Sequence, residues 1–200
     1  MRMHRNGVSA RSGRRLIAIS LGAAFLSSLA VFAARAAVNP CETEILRASA
    51  EYGVPVGILY AVGLAETGRR GSLQPNAMNI EGKAVFPSNR AEALRVFADA
   101  KSRGAKLIDV GCMQINERYH GSHFAGISEM FDPRRNVDYA TRFLVDLKRQ
   151  HMSWSMAVAR YHAGPDNDPA QKIYVCRVIA NMVATGFGKW TPNASRFCNH

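Results

Sequence analysis

Acidic residues are missing from the first 36 positions, C-x-x-C pairs are missing throughout, and no repeat or low-complexity tract interrupts the 200-residue chain. Without C-x-x-C, a zinc or dithiol redox site has no support. Without repeats or a shift in composition, nothing marks a second domain after position 36. Strands alternating with helices are also missing, which disfavours a parallel α/β sheet. Cys41 is not preceded by a Leu-Ala-Gly type lipobox, which argues against a lipid anchor. Nor is there a dense basic stripe. The net charge is +11, but six arginines lie in 1–36, so the remainder carries only +5. That is too little for a nucleic-acid binder, though it would hold an exported protein near anionic polymers such as a bacterial wall.

The first 36 residues read as a targeting segment. MRMHRNGVSARSGRR carries five arginines, LIAISLGAAFLSSLAVFA is an apolar run of 18 residues, and Ala34-Arg35-Ala36 is a small-x-small pattern. These are the three parts of a secretory signal peptide. The apolar run sits at the lower limit for a membrane span, so an uncleaved anchor is the competing reading. Cleavage after Ala36 leaves 37–200 as one domain in an oxidising, periplasmic setting, with no stable membrane span. The four cysteines, Cys41, Cys112, Cys176 and Cys198, all fall in that part. An even count in an exported chain points to disulfides, with three pairings open. Cys176 with Cys198 would tie down the C-terminal tail, whereas Cys112 reads equally as a small buried hydrophobe.

Periodicity predicts a mainly α fold. CETEILRASAEYG (41–53) has Ile45, Leu46 and Ser49 at helical spacing and stops at Gly53. VPVGILYAVGLAETG (54–68) is apolar all round, as a buried helix is. AEALRVFADAKSRG (91–104) presents Leu94, Phe97 and Ala98 on one face. A long helix lies within 128–151, capped at Asp132-Pro133 and striped by Val137, Ala140, Phe143, Leu144 and Leu147. Further helices follow at 153–164 and, from Asp168-Pro169, at 168–188. NIEGKAVFPSN (79–89) reads as a strand or hairpin arm, with KLIDV (106–110) expected to pair with 83–86.

Glu66 stands out because it ends the apolar run ILYAVGLA just before Thr67-Gly68. A carboxyl withdrawn from water is easier to keep protonated, which is what a general acid requires. A Glu at a helix end is more commonly a solvated terminus, so its company decides. That company is GCMQIN at 111–116, DPRRNVDYATRFL at 132–144 and AVARYHAG at 157–164. In this order, over roughly 42–180, the chain resembles the soluble lytic transglycosylase (SLT) family, which shares its catalytic fold with goose-type lysozyme. Thr67 stands where the family carries Ser, Cys112 where it carries Leu, and His162 where it carries Asn. Glu66 and Gly111 lie 45 residues apart, more than in many members. The segment 181–200 has no counterpart in the core pattern and reads as an extension.

The resemblance implies a lysozyme-like helical domain with a small β-hairpin. It implies cleavage of the MurNAc–GlcNAc β-1,4 bond of peptidoglycan, with 1,6-anhydroMurNAc ends and no cofactor. Glu66 would be acid and then base, and Gln114 with the backbone around Met113 would hold the glycan. Tyr161 would orient Glu66 or the substrate N-acetyl group. Thr67, Asn116 and His162 are further candidates for the groove. It also implies partners, since small members of this kind open the wall for a secretion, conjugation, pilus or flagellar apparatus. The motif set offers no obvious second acid. Asp109, just before GCMQ, is the nearest, and a strand-end or turn role competes for it. A hydrolytic muramidase with Asp109 as base, and a non-catalytic wall-binding scaffold, are the alternatives. His120 and His123 read as loop or groove residues, since no further ligand completes a metal set.

Overall fold

A computed structural model of the chain describes residues 38–164 and 166–199. The signal-peptide reading and its cleavage point lie outside the described residues. In chain order the elements are α1 (Pro40–Tyr52), α2 (Val56–Thr67), β1 (Met78–Ile80), β2 (Lys83–Val85), α3 (Arg90–Ser102), β3 (Ile108–Val110) and β4 (Ile115–Asn116). They continue as α4 (Glu117–His120), α5 (Ile127–Met130), α6 (Pro133–His151), α7 (Trp154–Ala163), α8 (Asp168–Ala184) and α9 (Pro192–Cys198). The fold is mostly helical with a small antiparallel sheet, as the composition and periodicity predict.

Helix α2 lies in the middle. Its uniformly apolar sequence leaves no face for water, and it packs against α1 on one side and α8 on the other. Leu59, Ala61 and Val62 are fully buried, and each large aliphatic side chain so placed contributes about 1.5–3 kcal/mol. Gly63 is needed for this close approach: a Cβ there would come within 3.0 Å of the Leu73 side chain and 3.3 Å of Ile45 and Met113. Helix α6 packs on α1 and α7, and α7 packs on α8. Asp132 caps α6 as predicted, accepting from Arg135 N at 3.1 Å. In α8 the cap is Asn167 rather than Asp168, which is already helical.

The buried faces differ in detail from the periodic reading. On α1 the core side is Cys41, Ile45 and Ala48, and Leu46 points to solvent. On α3 it is Ala93, Phe97 and Ala100, with Ala98 exposed. A short helix places two or three residues inside, and apolarity alone does not say which.

The expected hairpin is half of a four-stranded sheet in the order β2-β1-β3-β4, antiparallel throughout. Residues 83–85 pair with β1, and β3 also pairs with β1, not with β2 as the sequence reading has it. The sheet alternates along its strands. Ile108, Val110 and Ile115 are buried, while Asn79, Asp109 and Asn116, which are register partners across β1, β3 and β4, line the cleft. Two disulfides cross-link the fold: Cys41 with Cys112 ties α1 to the turn after β3, and Cys176 with Cys198 ties α9 to α8. Cys112 is therefore a covalent tie from α1 to the turn after β3, not merely a small hydrophobe.

Candidate active site

A cleft of about 310 Å³ opens between the sheet, the C-terminal ends of α2, α4 and α7, and the middle of α6. Glu66 stands at its floor on the last turn of α2, with its side chain only 13% exposed. The Tyr174 hydroxyl, from the middle of α8, donates to Glu66 Oε1 at 2.6 Å. His162 Nδ1 lies 3.6 Å from the same oxygen. Its imidazole stacks on the Tyr174 ring, with centroids 4.2 Å apart and planes 2° from parallel. Among the described residues Oε1 takes both contacts and Oε2 has no hydrogen bond. Burial, reinforced by the nearby Glu66, raises the Tyr174 hydroxyl well above the usual phenol range, so it is a firm donor.

The turn at 111–114 connects the sheet to this floor. Gly111 has φ of +79°, and a Cβ there would fall 2.5 Å from Asn136 Nδ2. Asn136 is fully buried on α6 and staples the turn. Its Oδ1 accepts from Met113 N at 2.8 Å, and its Nδ2 donates to Val110 O and Met130 O, each at 2.9 Å. The Tyr161 hydroxyl donates to Met113 O at 2.7 Å. Gln114, in the left-handed region at φ +47°, donates from Nε2 to Ala77 O and Gly111 O and borders the cleft.

Several expected roles change. The backbone of Met113 is not open to a glycan, because Asn136 and Tyr161 occupy its N–H and carbonyl. The Met113 side chain is fully buried. Thr67 is 3% exposed and does not face the groove. Its Oγ1 lies 3.1 Å from Gly63 O and 3.2 Å from Cys112 O, so it joins α2 to the turn. Tyr161 bonds Met113 rather than Glu66, and Tyr174 makes the contact expected of it. Gln114, Asn116, Tyr161 and His162 do line the cleft beside Glu66.

Asp109 lies in the cleft as well. Asn116 Nδ2 donates to its Oδ1 at 2.7 Å, while Asn116 Oδ1 caps α4. Burial pushes the Asp109 carboxyl above the ordinary aspartate range and the Glu66 charge adds to this, whereas the Asn116 bond opposes it. A second carboxyl thus shares the site with Glu66. His120 is part of an aromatic cluster, its Nδ1 2.7 Å from Tyr139 Oη, and burial lowers its affinity for a proton. Among the described residues no group of three or more His, Cys, Asp or Glu could hold a metal ion. A larger, apolar recess of about 600 Å³ between α7, α8 and α9 shares no residue with the cleft.

Sequence reasoning missed Tyr174, Asn136 and the His162 stack. In the sequence Tyr174 is one more apolar position in KIYVCRVIANM, and only the packing of α8 on α2 brings it to Glu66.

Comparison with curated proteins and with solved structures gives no match. The family model for the transglycosylase SLT domain matches residues 44–175, a stretch that contains the cleft-lining residues from Glu66 to His162 and also Tyr174. The chain belongs to the SLT transglycosylase family, with peptidoglycan as its substrate class and a lytic-transglycosylase type of activity as its general function.

Proposed function

We propose that the protein is an exported, periplasmic lytic transglycosylase that cleaves the MurNAc–GlcNAc β-1,4 bond and leaves 1,6-anhydroMurNAc ends, with Glu66 as its acid and base. The observation that carries this is Glu66 itself: one carboxyl oxygen is held by Tyr174 in a mostly water-excluded corner, and the other is unbonded among the described residues. Cleavage of a glycosidic bond needs a proton on the leaving oxygen and tolerance of an oxocarbenium-like state. Protonated Glu66 donates to the glycosidic oxygen as the C1–O bond breaks, and the substrate N-acetyl group assists. The Glu66 carboxylate then takes the proton of the sugar's 6-hydroxyl as that oxygen bonds to C1. No water is consumed. Gln114 and Asn116 flank the glycan as cleft-lining amides.

A second reading is hydrolysis, favoured by the presence of Asp109 in the same cleft. Retaining enzymes place their carboxyl groups about 5–5.5 Å apart and inverting ones about 6.5–9.5 Å. End-group analysis of released fragments, with Asp109→Asn beside the wild type, separates the two. Anhydro ends that persist in Asp109→Asn support transglycosylation. Reducing ends that are lost in the variant support a hydrolase.

The biological setting that this reading suggests is local wall opening for an envelope-spanning machine. The segment 186–200, beyond the matched family region, is the proposed partner contact. A chain lacking it is expected to cleave peptidoglycan but to fail in assembly. Unimpaired assembly would remove the idea.

A further inference from the structure

His162 covers the bond on which the proposed reaction depends. Tyr174 is 1% exposed, whereas the His162 side chain is 41% exposed and lies flat on the Tyr174 ring. The imidazole, which lines the cleft, therefore covers one face of the ring whose hydroxyl bonds Glu66. The two rings come from different helices, α7 and α8, while Glu66 comes from α2. Helix α7 ends immediately after His162, at Ala163 and then Gly164. Three chain segments meet at one carboxyl oxygen, and the stack is the contact that joins two of them there.

We propose that His162 is a positioning residue whose ring clamps Tyr174, so that the phenol hydroxyl stays on Glu66 Oε1 and water is kept from that bond. The role rests on the proposed part of Glu66 in the reaction. The geometry argues for the ring rather than for a polar contact. Nδ1 is 3.6 Å from Oε1, too long for a hydrogen bond, while the two ring planes are nearly parallel. An offset or stacked aromatic pair has an orientation preference that a lone apolar contact lacks. With the ring gone, Tyr174 can swing and Oε1 can exchange its partner for water. The acid would then be less often in the geometry that delivers its proton.

The test measures kcat and KM on soluble, uncrosslinked glycan strands for the wild type, His162→Ala, His162→Phe, His162→Asn, Tyr174→Phe and the His162→Ala/Tyr174→Phe double variant. Melting midpoints are recorded for each. His162→Ala is expected to lower kcat about tenfold with KM within about twofold. His162→Phe, which keeps a ring but no polar atom, recovers most of the loss, and His162→Asn does not. The double variant loses no more than Tyr174→Phe alone, because the clamp has nothing left to hold. Recovery by Asn as complete as by Phe overturns the clamp, as do losses that multiply in the double variant or a change in KM alone. Should His162→Ala fail to fold, the comparison of Phe with Asn still decides. A wild type that releases no fragments overturns the functional reading and this role together, whereas an active wild type with the wrong variant pattern overturns this role alone.

Discussion

The Tyr174 hydroxyl sits 2.6 Å from Glu66 Oε1, so the middle of α8 fixes the carboxyl that ends α2. The bond is part-buried and its donor lies on a packed helix, α8, rather than on a loop. Tyr174→Phe keeps the ring and removes only the donor. Leaving that acceptor without its partner costs roughly 1–3 kcal/mol, or about five- to 150-fold in kcat when the acceptor is the reacting group. The rate of fragment release should fall by that factor, and the melting midpoint should fall by only a few degrees. An unchanged rate would show that Tyr174 does not serve Glu66.

Asn136 and Gly111 form a second fixed point. Asn136→Ala removes a buried amide that satisfies Met113 N, Val110 O and Met130 O. It is expected to cost about 2–4 kcal/mol, since each orphaned group costs roughly 1–3 kcal/mol and partial relaxation recovers some of it. Gly111→Ala meets both a left-handed backbone and a 2.5 Å collision with Asn136, and should be at least as damaging. Chemical denaturation checks both. Wild-type midpoints would contradict the account of the turn.

The two disulfides should differ in what they protect. Cys41–Cys112 closes a separation of 71 residues and Cys176–Cys198 one of 22. Loop-closure arithmetic gives about 4 and about 3 kcal/mol respectively, as upper values. Replacing Cys41 and Cys112 by Ser should lower stability more, and should also impair cleavage, because Cys112 belongs to the turn that Thr67 joins to α2. Replacing Cys176 and Cys198 should loosen α9 and leave the rate of cleavage intact below the melting range. Equal losses of activity in both pairs would contradict this division.

Asp109 makes stability depend on pH. Burial raises its carboxyl in the folded state above the ordinary value of about 3.9 in the unfolded chain. Its contribution is then fully present below that ordinary value and is lost as pH rises through the raised one. Asp109→Asn lacks this loss and can still accept from Asn116. Its melting midpoint should gain on the wild type as pH rises from about 4 to 7. Parallel melting curves would show that Asp109 is not held out of water.

Much of this was legible in the sequence. The apolar run of α2, the stop at Gly53 and the Asp132-Pro133 start of α6 mark helices locally, and local signals survive reading in one dimension. Glu66 draws attention in the sequence through its company, the motifs at 111–116, 132–144 and 157–164, because a charge at a helix end is by itself ordinary. What failed was long-range. Strands of two or three residues are too short to show which neighbour they choose, so the sequence suggests pairing 106–110 with 83–86 where the structure pairs β3 with β1. Tyr174 lies 108 residues from Glu66, and its role comes from a helix–helix contact that periodicity does not encode. The resemblance offers Tyr161 for orienting Glu66 or the substrate N-acetyl group, and in the structure its hydroxyl donates to the carbonyl of Met113. Cys112 pairs with Cys41 because α1 and the turn after β3 meet in the core, which four cysteines and three pairings could not specify.

The most direct test of the central claim is mass spectrometry of soluble muropeptides released from purified peptidoglycan by residues 37–200, with Glu66→Gln alongside. Gln has nearly the same shape, can still accept from Tyr174 and cannot deliver a proton. The account predicts anhydro-ended fragments from the wild type and none from a folded Glu66→Gln. Fragments released equally by both would contradict it.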